Sequence, residues 1–106
     1  MRIQDLPFSH IAHELVGSDH DVDACVIFVD APPGRGPSLH RHPYAEIFIV
    51  QEGEGTFVVG DEERRAGAGE VLIVPPDTPH AFTSTGETNL RQVDVHLSRR
   101  FQTEWL

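Results

Sequence analysis

The chain has 106 residues with 8 basic and 17 acidic side chains, which gives a formal net charge of −9 at pH 7. A surface of that sign repels nucleic-acid phosphates, so we expect no nucleic-acid partner. All the basic residues are arginines, and the absence of lysine excludes Schiff-base chemistry and a P-loop lysine. The chemistry must therefore come from histidine, carboxylate or a metal.

Short apolar segments recur along the chain, and each has the length of a strand. They span residues 24–29, 47–50, 56–59, 71–74 and 90–97. Sequences rich in glycine and proline separate them, and this alternation predicts an all-β sandwich or barrel. Residues 56–65, with Gly60-Asp61 at the centre, predict a hairpin. Residues 1–20 stay open, because 8–16 fits either a strand or a short helix.

We expect one domain over residues 1–106, because two domains would each be too small to bury an adequate core. The apolar runs are only strand-length and the N-terminal residues lack a signal-peptide pattern, so we expect no membrane partner and a cytoplasmic location. The one cysteine, Cys25, lies in the apolar segment 24–29. It is typical of a buried small hydrophobe rather than a reactive thiol.

Two histidines two residues apart carry the strongest chemical signal. In an extended chain His40 and His42 point to the same side and form a chelating pair. Glu46 shares their parity at the start of an apolar strand, where a buried carboxylate needs a partner that two imidazoles and a cation supply. His80 follows a proline-rich turn, and closure of a barrel can bring it into the same cavity.

The segment 90–97 alternates between an apolar set and the polar residues Gln92, Asp94 and His96. If the polar side faces the barrel interior, Gln92 and His96 can orient a substrate or shuttle a proton. If it faces water, they have no such role, and the sequence leaves both alternatives open.

Three apolar side chains share the parity of the candidate ligands on their strands. Phe48, Val50 and Phe82 are therefore expected to line an apolar pocket, with plain core packing as the alternative. The remaining histidines, His10, His13 and His20, lack a third ligand nearby, and we interpret them as solvated side chains.

The sequence resembles the small single-domain cupins at two motifs. The first, Gly-x5-His-x-His-x3-Glu-x6-Gly, corresponds to Gly34, His40, His42, Glu46 and Gly53. The second, Gly-x5-Pro-x-Gly-x2-His-x3-Asn, corresponds to Gly69, Pro75, Asp77, His80 and Ser84. Asp77 replaces a glycine where the turn needs a positive φ, which aspartate tolerates. Ser84 replaces an asparagine that is not normally a metal ligand.

This resemblance covers about residues 24–97 and implies a double-stranded β-helix, a jelly-roll barrel open at one end. It also implies one divalent transition metal held by His40, His42, Glu46 and His80. Three imidazoles and a carboxylate leave about two positions free on an octahedral ion. The ligand set leaves Fe, Mn, Ni, Zn, Co and Cu open.

The resemblance further implies a metalloenzyme of dioxygenase, isomerase or cyclase type that acts on a small anionic organic substrate. A sensor or accessory module that binds a small molecule or metal without turnover is the alternative, and a metal-free barrel is a third. Small cupins commonly pair, so we expect a homodimer. The apolar C-terminal residues Phe101, Trp105 and Leu106 either form a subunit contact or pack on their own chain.

Overall fold

A computed structural model describes all 106 residues and shows two antiparallel sheets. In chain order the strands are β1 (Phe8–Ser9), β2 (Ala12–Leu15), β3 (Cys25–Ala31), β4 (His40–Arg41), β5 (Glu46–Glu52), β6 (Glu54–Val59), β7 (Glu62–Gly67), β8 (Val71–Val74), β9 (His80–Ser84), β10 (Leu90–His96) and β11 (Glu104–Trp105). Two short 3-10 turns span Ile3–Asp5 and Gly17–Asp19. Neither is long enough to cross a bilayer. The all-β prediction is confirmed.

The two sheets face each other, and most neighbouring strands within them are distant in sequence. One has the order β1-β2-β3-β10-β5-β8, and the other has the order β11-β4-β9-β6-β7. Between them lies a core in which the rings of Phe48, Phe57 and Phe82 have centroids 5.5 to 5.6 Å apart. The chain therefore forms the double-stranded β-helix that the motifs implied.

The local predictions can be compared with the strands one by one. The apolar segments correspond to β3, β5, β6, β8 and β10, and β6 and β7 form the predicted hairpin through Gly60, whose φ is +61°. The open N-terminal segment forms two strands, β1 and β2, and β2 pairs with β3. Cys25 is fully buried, as a small hydrophobe should be.

The turn before β9 adopts the backbone that its sequence predicted. Asp77 has a φ of +59°, and its N–H donates to the carbonyl of His42 at 2.7 Å. This bond ties the proline-rich turn to the chain that follows β4. As a result, His80 lies directly across the sheet from His40.

Candidate metal centre

Both sheets contribute to one cluster of buried side chains. His40 and His42 come from β4 and the residue after it, His80 begins β9, and Glu46 begins β5 in the opposite sheet. All four residues are buried, and one ligand atom from each lies within 4.8 Å of the others. These four residues could hold a metal ion.

Backbone carbonyls fix the protonation of all three histidine rings. The Nδ1 atoms of His40, His42 and His80 lie 2.7, 2.9 and 2.8 Å from the carbonyl oxygens of Ser38, Gln102 and Thr78, respectively. A carbonyl can only accept, so each ring must donate from Nδ1. When the ring is neutral, its Nε2 atom carries a bare lone pair, and this is the tautomer that a metal ligand needs.

In this tautomer the bare nitrogens face a carboxylate, which is an unfavourable arrangement unless a cation, either a metal ion or a proton, lies between the atoms. Glu46 Oε1 lies 3.0 Å from His80 Nε2 and 3.3 Å from His42 Nε2. His42 Nε2 is buried and has no hydrogen-bond partner. A divalent cation among these atoms would satisfy the lone pairs and the charge together, so the donor set fits a metal.

Two pKa shifts agree with such a centre. Burial lowers the pKa of His40 to about 4, so this ring is neutral and able to coordinate at neutral pH. Burial by itself raises the pKa of the Glu46 carboxyl, yet the facing histidine rings outweigh it and hold that pKa below its usual range. Glu46 is therefore a carboxylate, the form that binds a cation.

Glu46 also lies close to a third histidine, which is on β10. His96 is buried, and its Nε2 lies 3.0 Å from Glu46 Oε2. Its Nδ1 lies 2.7 Å from the Tyr44 hydroxyl, which also accepts from the N–H of Gln102. Because burial raises the pKa of Tyr44 to about 12, the phenol keeps its proton and can donate it to Nδ1. In the tautomer that accepts this bond, His96 carries its own proton on Nε2, which lies near Glu46 Oε2 without a hydrogen bond to it.

A cavity of about 500 Å³ opens beside these residues. Phe48, Phe82 and His96 line it together with three of the four candidate ligands. The polar side of β10 thus faces the interior, while a role of Gln92 or His96 toward a substrate stays a prediction.

Val50 and Gln92 do not line this cavity, which corrects the expectation from parity. Their side chains point to the interior, as parity predicts. In the sheet, however, the two residues pair with each other, two inward positions beyond the Glu46–His96 pair. At that depth the space between the sheets is filled by the core, where both residues are buried.

The C-terminal segment closes one side of the cavity. Phe101, Thr103 and Trp105 line it, and β11 pairs with β4 so that Trp105 lies opposite His40, with ring centroids 4.9 Å apart. The tail pairs with β4 of its own chain, but Trp105 and Leu106 are 63% and 53% exposed, so a subunit contact at this segment stays a prediction. The spacing of these residues at every second position was the available signal for a strand.

Two further cavity or site residues were not singled out from the sequence, Tyr44 and Asp94. Tyr44 stands in the short corner between two candidate ligands, where no periodicity reveals its direction. Asp94 was visible only as one of the polar residues of β10, and it lines the cavity while almost fully buried. Burial raises the pKa of this carboxyl well above its usual range.

The Asp94 shift predicts a pH-dependent stability difference in the metal-free protein. Above about pH 4 an unfolded aspartate releases its proton, whereas Asp94 in the folded state retains it. The free energy of unfolding therefore falls as the pH rises from about 4 toward the raised pKa of Asp94. Asp94→Asn is therefore expected to raise the free energy of unfolding by about 0.5–2 kcal/mol at pH 7, with a smaller gain at pH 4. Urea unfolding at both pH values measures it, with Asp61→Asn in an exposed turn as the control. An equal gain at both pH values contradicts the prediction.

The fold and the buried cluster together define a class, a double-stranded β-helix protein with a possible metal site. The family model described as "Cupin domain" matches residues 27–96. The chain therefore belongs to the cupin family, which confirms the resemblance of the two motifs.

Curated relatives share this domain at moderate identity. The chain is 30% identical over 74 residues to "H2HPP isomerase" of Bacillus subtilis, covering 69% of this chain and 31% of the relative. It is 32% identical over 65 residues to "Oxalate-binding protein" of Thermotoga maritima, covering 60% and 54%. The chain thus spans about half, or less, of the curated relatives it matches.

Solved structures show the same fold. A cupin-like protein from Thermotoga maritima superposes with a TM-score of 0.79 at 25% identity, covering 90% of this chain and 74% of the other. Oxalate decarboxylase from Bacillus subtilis superposes with a TM-score of 0.86 at 18% identity, covering 100% and 31%. At that identity the second likeness shows the fold alone.

Proposed function

We propose that this protein is a metal-dependent enzyme of dioxygenase, isomerase or cyclase type that acts on a small anionic organic substrate. His40, His42, Glu46 and His80 are its metal ligands in this proposal. The observation that carries it is the set of Nε2 lone pairs, fixed by backbone carbonyls, that converge on one buried carboxylate.

The cavity beside the ligands supports a substrate rather than a closed structural site. A closed site surrounds its ion with protein groups, whereas here three candidate ligands line an open cavity of about 500 Å³. One relative is named as an oxalate-binding protein, which agrees with a small anionic substrate, and another is named as an isomerase.

The bound metal would act as a Lewis acid toward an anionic substrate oxygen and lower the pKa of a neighbouring C–H or O–H group. Phe48 and Phe82 provide apolar walls that exclude water and so strengthen electrostatic interactions in the site. His96 lies between Glu46, 3.0 Å from its Nε2, and the Tyr44 hydroxyl, 2.7 Å from its Nδ1. We assign the movement of a proton at the cavity wall to His96 together with Tyr44.

Substitution of His96 tests its role in proton transfer without removing any of the four candidate metal ligands. His96→Leu is expected to lower turnover by about 10²–10⁴-fold because general acid–base groups contribute about that much. The assay follows oxygen uptake and proton exchange with a panel of enolisable keto acids and catechols, on protein loaded with Fe(II), Mn(II) or Ni(II). His13→Leu, a part-buried histidine outside the site, is the control. Full activity of the His96→Leu variant contradicts this role.

A second candidate function is a binding module without turnover. The relative named as an oxalate-binding protein favours it. Such a module would bind small carboxylates stoichiometrically in calorimetry and show no turnover in the same panel. That pair of results would replace the enzyme proposal, while a metal content near zero after loading would replace both with a metal-free barrel.

We also propose that the protein forms a homodimer through the outer side of the six-stranded sheet. Apolar side chains on four neighbouring strands are adjacent there in the strand register. This outer apolar face consists of Val26, Phe28, Ile47, Ile49, Val71, Ile73, Val93 and Val95. Ile73 is 66% exposed and Val71 is 56% exposed, and a contiguous apolar surface of this kind is typical of an interface.

Ile73→Glu is expected to convert this dimer into a monomer. A two-fold interface uses the same patch twice, so each dimer would bury two unpaired carboxylates. Sedimentation velocity measures the mass, and Val22→Glu, at an exposed residue away from the outer apolar face, is the control. A wild-type monomer, or an Ile73→Glu variant that stays dimeric, contradicts the proposal.

A further inference from the structure

Asp94 lies on the cavity wall, one inward strand position beyond the level of Glu46. It is the inward position next to His96 on β10, and its neighbours across the sheet are Phe48 and Ile27. Two residues of a strand span about 7 Å, so Asp94 is about that far along the strand from the level of Glu46. Phe48 and Ile27 also line the cavity, which extends from one level to the other.

The carboxyl of Asp94 has an incomplete set of hydrogen bonds. Gln92 Nε2 donates to Asp94 Oδ1 at 2.8 Å, and this is the only side-chain hydrogen bond that Asp94 makes. The Gln92 amide thus fixes the orientation of the carboxyl without occupying its second oxygen. This contact gives Gln92 a positioning role, although Gln92 lies outside the cavity.

No cationic side chain pairs with Asp94. The only arginine that lines the cavity is Arg35, which is exposed, and the carboxylate of Glu46 adds to the effect of burial in raising the pKa of Asp94. A divalent ion at the candidate centre would be balanced by Glu46 and by the anionic end of the substrate. A nearly fully buried carboxyl without a cationic partner is neutral, and the raised pKa agrees. Its second oxygen then carries a hydroxyl, a donor available to a molecule in the cavity.

We infer that Asp94 is a specificity-determining residue that donates a hydrogen bond to an acceptor oxygen of the substrate, at the level of the cavity that lies two strand residues beyond Glu46. The inference rests on the proposed function of the same site. It selects elongated organic acids with oxygen acceptors at both ends, such as five-carbon dicarboxylates and keto acids, over acids with one polar end.

Two probe ligands and two kinds of variant test this assignment. Glutarate and pentanoate have the same chain length, but only glutarate has a second acceptor end. Calorimetry on Mn(II)-loaded protein measures their dissociation constants for the wild type, Asp94→Val and Asp94→Asn. Asparagine still accepts from Gln92 and offers an N–H donor, whereas valine has a similar volume and no donor. Asp94→Ala, which adds no bulk, replaces Asp94→Val if the latter does not fold.

The expected result is selective. Asp94→Val weakens glutarate binding about tenfold, as the loss of one hydrogen bond to a charged group implies, and leaves pentanoate within about threefold. Asp94→Asn keeps both ligands within about threefold of the wild type. Equal losses of glutarate and pentanoate, or a loss in Asp94→Asn as large as in Asp94→Val, overturn the inference.

Metal content, measured on every sample, distinguishes a failure of the role assigned to Asp94 from a failure of the proposed metal centre. Wild-type protein that holds Mn(II) but binds glutarate no better than pentanoate overturns the role of Asp94 and leaves the metal centre in place. Wild-type protein that takes up no Mn(II), Fe(II), Ni(II) or Zn(II) overturns the proposed function, and the inference falls with it.

Discussion

Saturation with a divalent transition metal, at about one hundred times its dissociation constant, is expected to raise the free energy of unfolding by about 2.7 kcal/mol. The reason is that the four ligands converge only in the folded state, where one atom from each lies within 4.8 Å of the others. A chelator should reverse the gain. Thermal and urea unfolding with and without Zn(II) or Mn(II) measure the effect.

His40→Ala is expected to abolish this metal-dependent gain. His40 supplies one of three neutral imidazoles, and its loss leaves a cation with two rings and one carboxylate. His20→Ala is the matched control, because His20 is exposed and lies outside the cluster. The prediction is contradicted if the His40→Ala variant keeps the full gain, or if the His20→Ala variant loses it.

Deletion of residues 101–106 is expected to weaken metal affinity by about 10–100-fold, the usual cost of losing a partner that orients a ligand. The carbonyl of Gln102 accepts the Nδ1–H of His42 and so fixes the tautomer in which Nε2 is free. The ring of Trp105 lies beside that of His40, with centroids 4.9 Å apart. The C-terminal segment therefore holds two of the candidate ligands in a binding conformation.

Competition with a fluorescent chelator measures that affinity in the deletion variant and in a shorter deletion of residues 104–106. The shorter deletion keeps Gln102 and should have the smaller effect. Thr103→Val is the control, because it removes only a hydroxyl 3.3 Å from His42 Nδ1 and keeps the backbone. Affinity within about threefold of the wild type after the longer deletion would mean that the segment does not position the ligands.

The strands could be predicted well because their signals are local. Apolar runs separated by glycine and proline fixed β3, β5, β6, β8 and β10 to within a few residues. The positive φ of Asp77 was implied by the resemblance to the cupins, because Asp77 stands at a glycine position of the second motif. The N-terminal segment stayed open between a strand and a helix, because β1 and β2 are short and depend on pairing, β1 with β2 and β2 with β3.

The sequence also determined which four residues can meet at a metal centre. His40 and His42 are two residues apart, so their side chains point to the same side of an extended chain. The spacing of the two motifs that resemble the cupins indicated Glu46 and His80 as the other two residues. The burial and proximity of the quartet in the structure agree with that translation.

Only the tertiary structure decided which side of β10 is the interior. Its apolar set lies on the outer side of the sheet and its polar set lies inside, the reverse of what burial of apolar surface alone favours. Alternation along a strand defines two sides but does not say which one another sheet will cover. That choice, like the depth of Val50 and the position of Trp105 over His40, depends on contacts between residues far apart in the chain.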